Sequence, residues 1–499
     1  MSRSHPLLSI GSRNLPSIMV SDQRNLRSRR KSDSLFGLNC VPICIVVCMA
    51  MAVASPAQTF STIFSFDGSN GRSPNGPLIQ GFDGSLYGTT VIGGAHSLGT
   101  VFRFNANRTV TTLHNFCSRT ACWDGGVPKS GLVLGRDGNL YGTTTYGGAH
   151  KVGTIFKITP QGVLTTLHHF CAQASCADGY GTTQPLIQAA DGNLYGAAPN
   201  GGINHAGTIF KVSPGGNFKL LYSFCAKAQC ADGSAPNGLI QAADGNFYGT
   251  ATFGTVFRVT PGGALTTLHR FCSRANCSDG YEPMGALTQA SDGVLYGTTA
   301  YGGGNSSFGT VFKITLQGSF TIVHRFCTDV DCIGGGVPQS TLIQGTEGNL
   351  YGTTSRRHSA QFGGSLFKVT RTGILTVLRT FPDWRVDFPG VMQATDGNFY
   401  GTTYDQSASY FGTIFKLKMG LSPFIKTVPI AGASGTTVII LGTNLSGATS
   451  VKFGGRAAPF SVVSSSEIRT VVPTDATSGI VTVVTPNSVL SSNVVFRVP

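Results

Sequence analysis

Gly131-Leu132-Val133-Leu134, Leu140-Tyr141-Gly142-Thr143-Thr144, Thr154-Ile155-Phe156-Lys157-Ile158 and Leu164-Thr165-Thr166-Leu167-His168 are four short apolar or alternating runs. Asp137-Gly138-Asn139, the loop Gly147-Gly148-Ala149-His150 and Pro160-Gln161-Gly162 separate them. Runs of this length punctuated by Gly, Pro, Asp and Asn read as antiparallel strands joined by hairpins. The unit is one of seven. Its Tyr-Gly pair, followed by Gly-Thr-(Val/Ile)-Phe-(Lys/Arg) or a near copy, recurs with the tyrosine at Tyr87, Tyr141, Tyr195, Tyr248, Tyr296, Tyr351 and Tyr400. The intervals are 54, 54, 53, 48, 55 and 49 residues. A period near fifty with four strand-like runs per unit is that of a propeller blade.

The ends of the array predict how it closes. The last unit has Val391-Met392-Gln393, Phe399-Tyr400-Gly401 and Thr413-Ile414-Phe415-Lys416, but Leu421-Ser422-Pro423 starts another grammar where a fourth run belongs. At the other end, Phe60-Ser61-Thr62-Ile63-Phe64-Ser65-Phe66 repeats the pattern of Leu164 to Phe170. The expected fold is therefore all-β: a seven-bladed β-propeller over 58–420 closed by its N-terminal strand, then a β-sandwich over 421–499. Closure removes the unpaired edges that invite aggregation. With strands A to D running outward, the short A–B and C–D turns share one end of the blades. The longer B–C and D–A loops share the other, where a binding site is expected.

Residues 1–57 read as an export signal. Arg3, Arg13, Arg24, Arg27, Arg29, Arg30 and Lys31 face only Asp22 and Asp33 before a mostly apolar run from Leu35 to Val53, and small residues at Ala52-Val53-Ala54 and Ser55-Pro56-Ala57 suit cleavage. An uncleaved N-terminal anchor is the alternative, and the one route to a membrane that the sequence offers. The formal charge of +14 is concentrated in this leader and in one repeat position, Arg103, Lys157, Lys211, Arg258, Lys313, Lys368 and Lys416. A cation repeated once per unit is structural, and no basic cluster with interleaved aromatics marks a nucleic-acid surface.

Ten cysteines beyond the leader form five Cys-x4-Cys pairs in the D–A loops: Cys117/Cys122, Cys171/Cys176, Cys225/Cys230, Cys272/Cys277 and Cys327/Cys332. Behind an export signal, such pairs read as disulfides. Each would close a short loop, worth roughly 2 kcal/mol in the chain-entropy model. No second Cys or His pair stands at zinc-site spacing, so no metal or other cofactor is expected.

After Leu421, Gly435-Thr436-Thr437-Val438-Ile439-Ile440-Leu441-Gly442-Thr443-Asn444-Leu445, Ser450-Val451-Lys452-Phe453-Gly454-Gly455 and Ser478-Gly479-Ile480-Val481-Thr482-Val483 come in order. Residues 421–499 so resemble the IPT/TIG domain, which implies an immunoglobulin-like sandwich acting as an interaction or spacer module. Tyr-Gly-Thr-Thr, a Gly-Gly loop, Gly-Thr-Val-Phe-Lys and Pro-Gly-Gly resemble the GloVer (Gloeo/Verruco) tandem-repeat family over about 60–420. That resemblance implies an exported protein and brings no activity with it.

The candidates for chemistry thin out on inspection. Asp83, Asp137, Asp191, Asp244, Asp292, Glu347 and Asp396 occupy the A–B turn of each unit, and Asp67, Asp124, Asp178, Asp232 and Asp279 follow the D strand. Asp-Gly in such places is turn chemistry. His114, His168, His269 and His324 share one D-strand position, and His96, His150 and His205 fall in B–C loops. The asymmetric remainder is Arg356, Arg357 and His358 in unit six with Tyr404 and Asp405 in unit seven, which mark the expected ligand site. The function expected is non-catalytic binding or adhesion outside the cytoplasm, with a glycan or protein as ligand. The alternative is an exported polysaccharide hydrolase or lyase, which would need two carboxylates placed for acid–base or nucleophilic work.

Overall fold

A computed structural model describes residues 58–304, 308–328, 332, 335–356, 362–381, 390–404 and 411–498. Among them there is no α-helix; 3-10 turns occur at Thr120–Cys122, Ala174–Cys176, Ala228–Cys230 and Ala275–Cys277. Residues 59–418 form seven antiparallel sheets, numbered here in chain order. Sheet 2 shows the plan: A Val133–Leu134, B Leu140–Thr143, C Thr154–Ile158 and D Leu164–His169 are hydrogen-bonded in that order. In sheets 1 and 6 the A strand comes in two pieces, Arg72–Pro74 with Ile79–Gln80 and Gly336–Pro338 with Ile343–Gln344.

The repeated letters are explained by strand register. Tyr-Gly on strand B lies opposite Phe-Lys on strand C, so that Gly142 faces Phe156. A Cβ on Gly142 would stand 2.6 Å from Phe156 Cζ and 2.9 Å from Leu132 Cδ2. The glycine is required because the phenylalanine ring lies across it. The tyrosine beside it turns its hydroxyl to the A–B turn: Tyr141 donates to Asp137 at 2.7 Å and Tyr248 to Asp244 at 2.7 Å. The same bond recurs from Tyr87, Tyr195, Tyr296, Tyr351 and Tyr400 to their own turn carboxylates. These seven acids therefore anchor the turns. The repeated cation lies alongside, as in Lys416, 3.4 Å from Asp396 and over the Tyr400 ring.

Two series of contacts link each sheet to the next. The phenylalanine that ends each D strand packs on the strand C phenylalanine of the following sheet: Phe116 on Phe156, Phe170 on Phe210, Phe224 on Phe257, Phe271 on Phe312, Phe326 on Phe367 and Phe381 on Phe415. The second series is a clasp of glutamines that the sequence reading did not single out. Gln188, Gln241, Gln289, Gln344 and Gln393 end their A strands, and each carbonyl accepts the N–H of the preceding sheet's A–B turn, from Arg136, Ala190, Ala243, Ser291 and Thr346.

Sheet 7 takes its fourth strand from the N-terminus. Thr59–Ser65 pairs with Thr413–Lys418 from Thr59↔Lys418 to Ser65↔Thr413. Its register shifts between Thr62 and Phe64, where the D strand of sheet 2 shifts between Thr166 and His168. Phe66 then packs on Phe102 of sheet 1, and Gln80 of sheet 1 accepts from Thr395 of sheet 7 at 3.0 Å, extending both series from the last sheet to the first.

The C-terminal module packs two four-stranded sheets around Ile425, Val438, Ile440, Leu445, Val451, Phe453, Ile468, Val481 and Phe496. It sits on the turn end of the array. Ser466 Oγ donates to Phe82 O at 2.7 Å, Phe424 N to Thr395 O at 3.0 Å, and Lys426 Nζ to Gln393 O at 2.5 Å. Leu441 and Val428 complete an apolar cluster with Leu134, Ile79 and Phe82. Leu134 stands where the other A strands end in glutamine, so the junction between sheets 1 and 2 is covered by the sandwich.

Candidate functional site

The loop end is organised by the disulfides. All five expected pairs are formed, Cys117–Cys122, Cys171–Cys176, Cys225–Cys230, Cys272–Cys277 and Cys327–Cys332. All ten cysteines have positive φ, between 45° and 63°, a region that costs energy for side-chain-bearing residues. A buried aspartate two residues past the second cysteine holds the first four loops. Asp124 accepts from Ser118 N, Ser118 Oγ and Arg119 N, and its Oδ2 lies 2.9 Å from His114 Nε2. Asp178 does the same with Ala172 N, Gln173 N and His168, and Asp232 uses Tyr222 in place of the histidine. These carboxylates lie deeper than turn chemistry required, being fully buried, and the D-strand histidines are their partners.

Burial opposes ionisation of Asp124, but hydrogen bonds from His114, Ser118 and two backbone amides outweigh it, and its pKa falls to about 2. A carboxyl depressed on folding contributes stability above its unfolded value, and that stability drains as pH falls toward the folded value. The Asp124 loop is therefore expected to loosen between roughly pH 4 and pH 2. Asp124→Asn should remove that dependence, measured as protease susceptibility near residue 120 against pH; a wild-type loop equally resistant at pH 2 and pH 5 would sink this account. Thiol titration of denatured, unreduced protein should find none of these ten cysteines free, and ten free thiols would contradict the pairing.

After each of five D–A loops the chain turns into the next A strand through a left-handed residue and a proline. Ser73-Pro74-Asn75, Val127-Pro128-Lys129, Ala235-Pro236-Asn237, Glu282-Pro283-Met284 and Val337-Pro338-Gln339 share this form, with φ between 53° and 58° at the first residue. Val127 N donates to Leu98 O, Ala235 N to Ala206 O and Val337 N to Phe308 O, each at 2.8 Å, which holds the bend. The third residue of each triplet, with Thr183 in sheet 3, lines a cavity of about 280 Å³ at the loop end, together with Gln184, Ser340, Thr353 and Ser355. One fixed slot thus carries Asn, Lys, Thr, Asn, Met and Gln around a bowl. Lys129 is its single charge, and no carboxylate lines it among the described residues.

Apolar side chains stand exposed at the same end. Trp123 lies on a disulfide loop with its ring 4.8 Å from that of His169, and Phe253 tips the tight B–C turn of sheet 4. Tyr146 is exposed, and Tyr281 stacks on Tyr301 at 5.3 Å. His96, His150 and His205 are exposed on their loops, as expected of solvent-facing residues.

Of the five site residues expected from the sequence, Arg357, His358 and Asp405 lie outside the described residues. The backbone of Arg356 ends strand B of sheet 6 opposite Gly336, directly after Ser355 of the bowl. Tyr404 is half-buried just past Phe399–Thr403. The bowl was legible in the sequence only as the variable residue after a repeated proline, a signal weaker than the asymmetry of units six and seven.

The array is β-sheet throughout, with a TIG sandwich appended. The chain belongs to the Gloeobacter/Verrucomicrobia repeat family, whose model matches three times, over 50–253, 176–363 and 250–450. The IPT/TIG domain matches 421–498. No curated protein matches the chain. Similar solved structures include the extracellular domain of a candidate one-component system from B. thetaiotaomicron, at 12% identity and TM-score 0.47, covering 89% of this chain. This chain spans 59% of that domain's length. Oligogalacturonate lyase from Vibrio parahaemolyticus (11% identity, TM-score 0.44, 72% of this chain and 97% of that one) is another. A third is the WD40 β-propeller domain of Doa1 (9% identity, TM-score 0.46, 72% of this chain and 97% of that one).

Proposed function

We propose that this chain is an exported, non-catalytic binding protein: a closed seven-bladed propeller that recognises a glycan at its loop end and stands on a TIG pedestal. Closure is supported by Thr59–Ser65 in the D slot of sheet 7 and by the phenylalanine and glutamine contacts that pass from that sheet to sheet 1. Export is supported by the basic and apolar leader and the five disulfides.

The observation that carries the binding reading is the bowl. A scaffold position repeated for structural reasons keeps its residue, as Tyr141 and Gly142 do. The slot after the repeated proline keeps its place and changes its chemistry, which is how a rigid scaffold acquires a specific surface. The amide and hydroxyl side chains of the bowl suit sugar hydroxyls, and the exposed aromatics elsewhere on the same end suit the apolar faces of pyranose rings. Loops held by disulfides lose little entropy on binding. Among the described residues, no carboxylate pair lines the bowl to support the hydrolase or lyase alternative.

The test begins with a glycan array probed by the protein from Gln58 onward. On the best ligand, Lys129→Ala and Gln339→Ala are each expected to weaken binding about tenfold, as for lost contacts of roughly 1.4 kcal/mol. Arg356→Ala, Arg357→Ala and Asp405→Ala test whether the site includes the loops of units six and seven, and each is expected to weaken binding. Unchanged affinity in both bowl variants would place recognition elsewhere.

A further inference from the structure

Independently of the loop end, we propose that the turn end holds a second site, at the seam of sheets 1 and 7 beneath the sandwich, for a small hydroxylated carboxylate of the sugar-acid class.

The seam departs from the other junctions at one residue. The C–D turns of sheets 2 to 6 carry Gly162, Gly216, Gly263, Gly318 and Gly373, with φ from +91° to +99°. A Cβ at these positions would stand 2.5, 3.1, 2.5, 3.2 and 2.2 Å from the backbone oxygen of Leu113, Leu167, Leu221, Leu268 and Val323 on the preceding D strand. Conformation and space both demand glycine there. In sheet 1 the residue is Arg108, at φ +63°. The D strand before it is the N-terminal one, with Ile63 in the slot of Leu113. Here the two do not close on each other: Ile63 and Arg108 both line a cavity of about 450 Å³. The sandwich roofs it with Thr443, Asn444, Ser465 and Ser466.

The charges state what the cavity would take. Asp83 has Arg103 at 4.0 Å, and Asp396 has Lys416 at 3.4 Å and the Tyr400 hydroxyl at 2.8 Å. Arg108 has no ion-pair partner among the described residues. The lining itself holds two carboxylates, Asp83 and Asp396, and two cations, Lys416 and the exposed Arg108. The planar fork of Arg108 is the group free to take the carboxylate of a ligand. The remaining polar lining, carboxylate oxygens and the side chains of Asn444 and Ser465, suits ligand hydroxyls. Ile63, Leu86 and Phe104 offer an apolar wall to the carbon skeleton. A bare inorganic anion would leave that wall and those acceptors without partners.

The experiment uses the chain from Gln58 to its end, with D-glucuronate, D-glucose and acetate as probes in thermal melting and calorimetric titration. D-Glucuronate is expected to raise the melting temperature in a saturable way, while glucose, lacking the carboxylate, and acetate, lacking the hydroxyls, leave it unchanged. Arg108→Gly restores the residue of the other turns. It should melt no lower than wild type without ligand, yet lose the glucuronate shift, which separates binding from folding. No shift with glucuronate, an equal shift with acetate or glucose, or a shift kept in Arg108→Gly each overturns the proposal.

Discussion

Removing residues 58–66 is expected to lower the melting temperature by about 10 °C or more, or to leave the protein insoluble. The strand Thr59–Ser65 supplies the outer hydrogen bonds of sheet 7. It also brings the aromatic packing of two sheets. Phe60 lies 5.0 Å from Phe415 and 5.6 Å from Phe381, and Phe66 lies 5.2 Å from Phe102. Each such side chain is worth about 1.5–3 kcal/mol when fully buried, and their loss sums to several kcal/mol. The exposed edge of Thr413–Lys418 would then be free to pair with another chain. Comparative melting of chains starting at Gln58 and at Asp67 tests this. Equal midpoints would mean that the strand is an ornament and that the closed-ring reading fails.

Gly142→Val is expected to destabilise the protein by roughly 3 kcal/mol or more, at the upper end of core overpacking. Its Cβ would meet the Phe156 ring at 2.6 Å, and both residues are buried at the centre of a paired register. Neither strand can retreat without breaking its ladder. Gly215→Ala is the control, since its Cβ would meet only the Ser213 hydroxyl, at 3.7 Å. Urea midpoints of the two variants should separate widely. If Gly142→Val unfolds at the wild-type midpoint, the repeated Tyr-Gly pair is not explained by the phenylalanine opposite it.

The architecture was legible because each repeat writes its strand period, its turns and its glycines seven times, so that chance resemblance averages out. The disulfides were legible from the Cys-x4-Cys spacing, written five times. The turn carboxylates read as structural and proved so, each bonded to its tyrosine. The glutamine clasp was overlooked. Gln188 does its work on Arg136 of the preceding sheet, and nothing local marks a side chain whose partner is some fifty residues away. Asp124 was read as turn chemistry for the same reason: its partners sit on a strand and on a disulfide loop that only meet in the folded chain.

The turn end shows the limit most plainly. In sequence its turns look uniform and closed to function. In the fold the sandwich lies on them, and Arg108 occupies a glycine position beside the N-terminal strand. By itself, the sequence determined the strands, the repeat, the paired cysteines and the class of the C-terminal module, because these rest on side-chain period and backbone conformation within a few residues. The tertiary structure alone decided which end the sandwich covers and where the cavities open. It also decided which repeated slot faces the bowl, because those depend on how rigid surfaces far apart in the chain fit against one another.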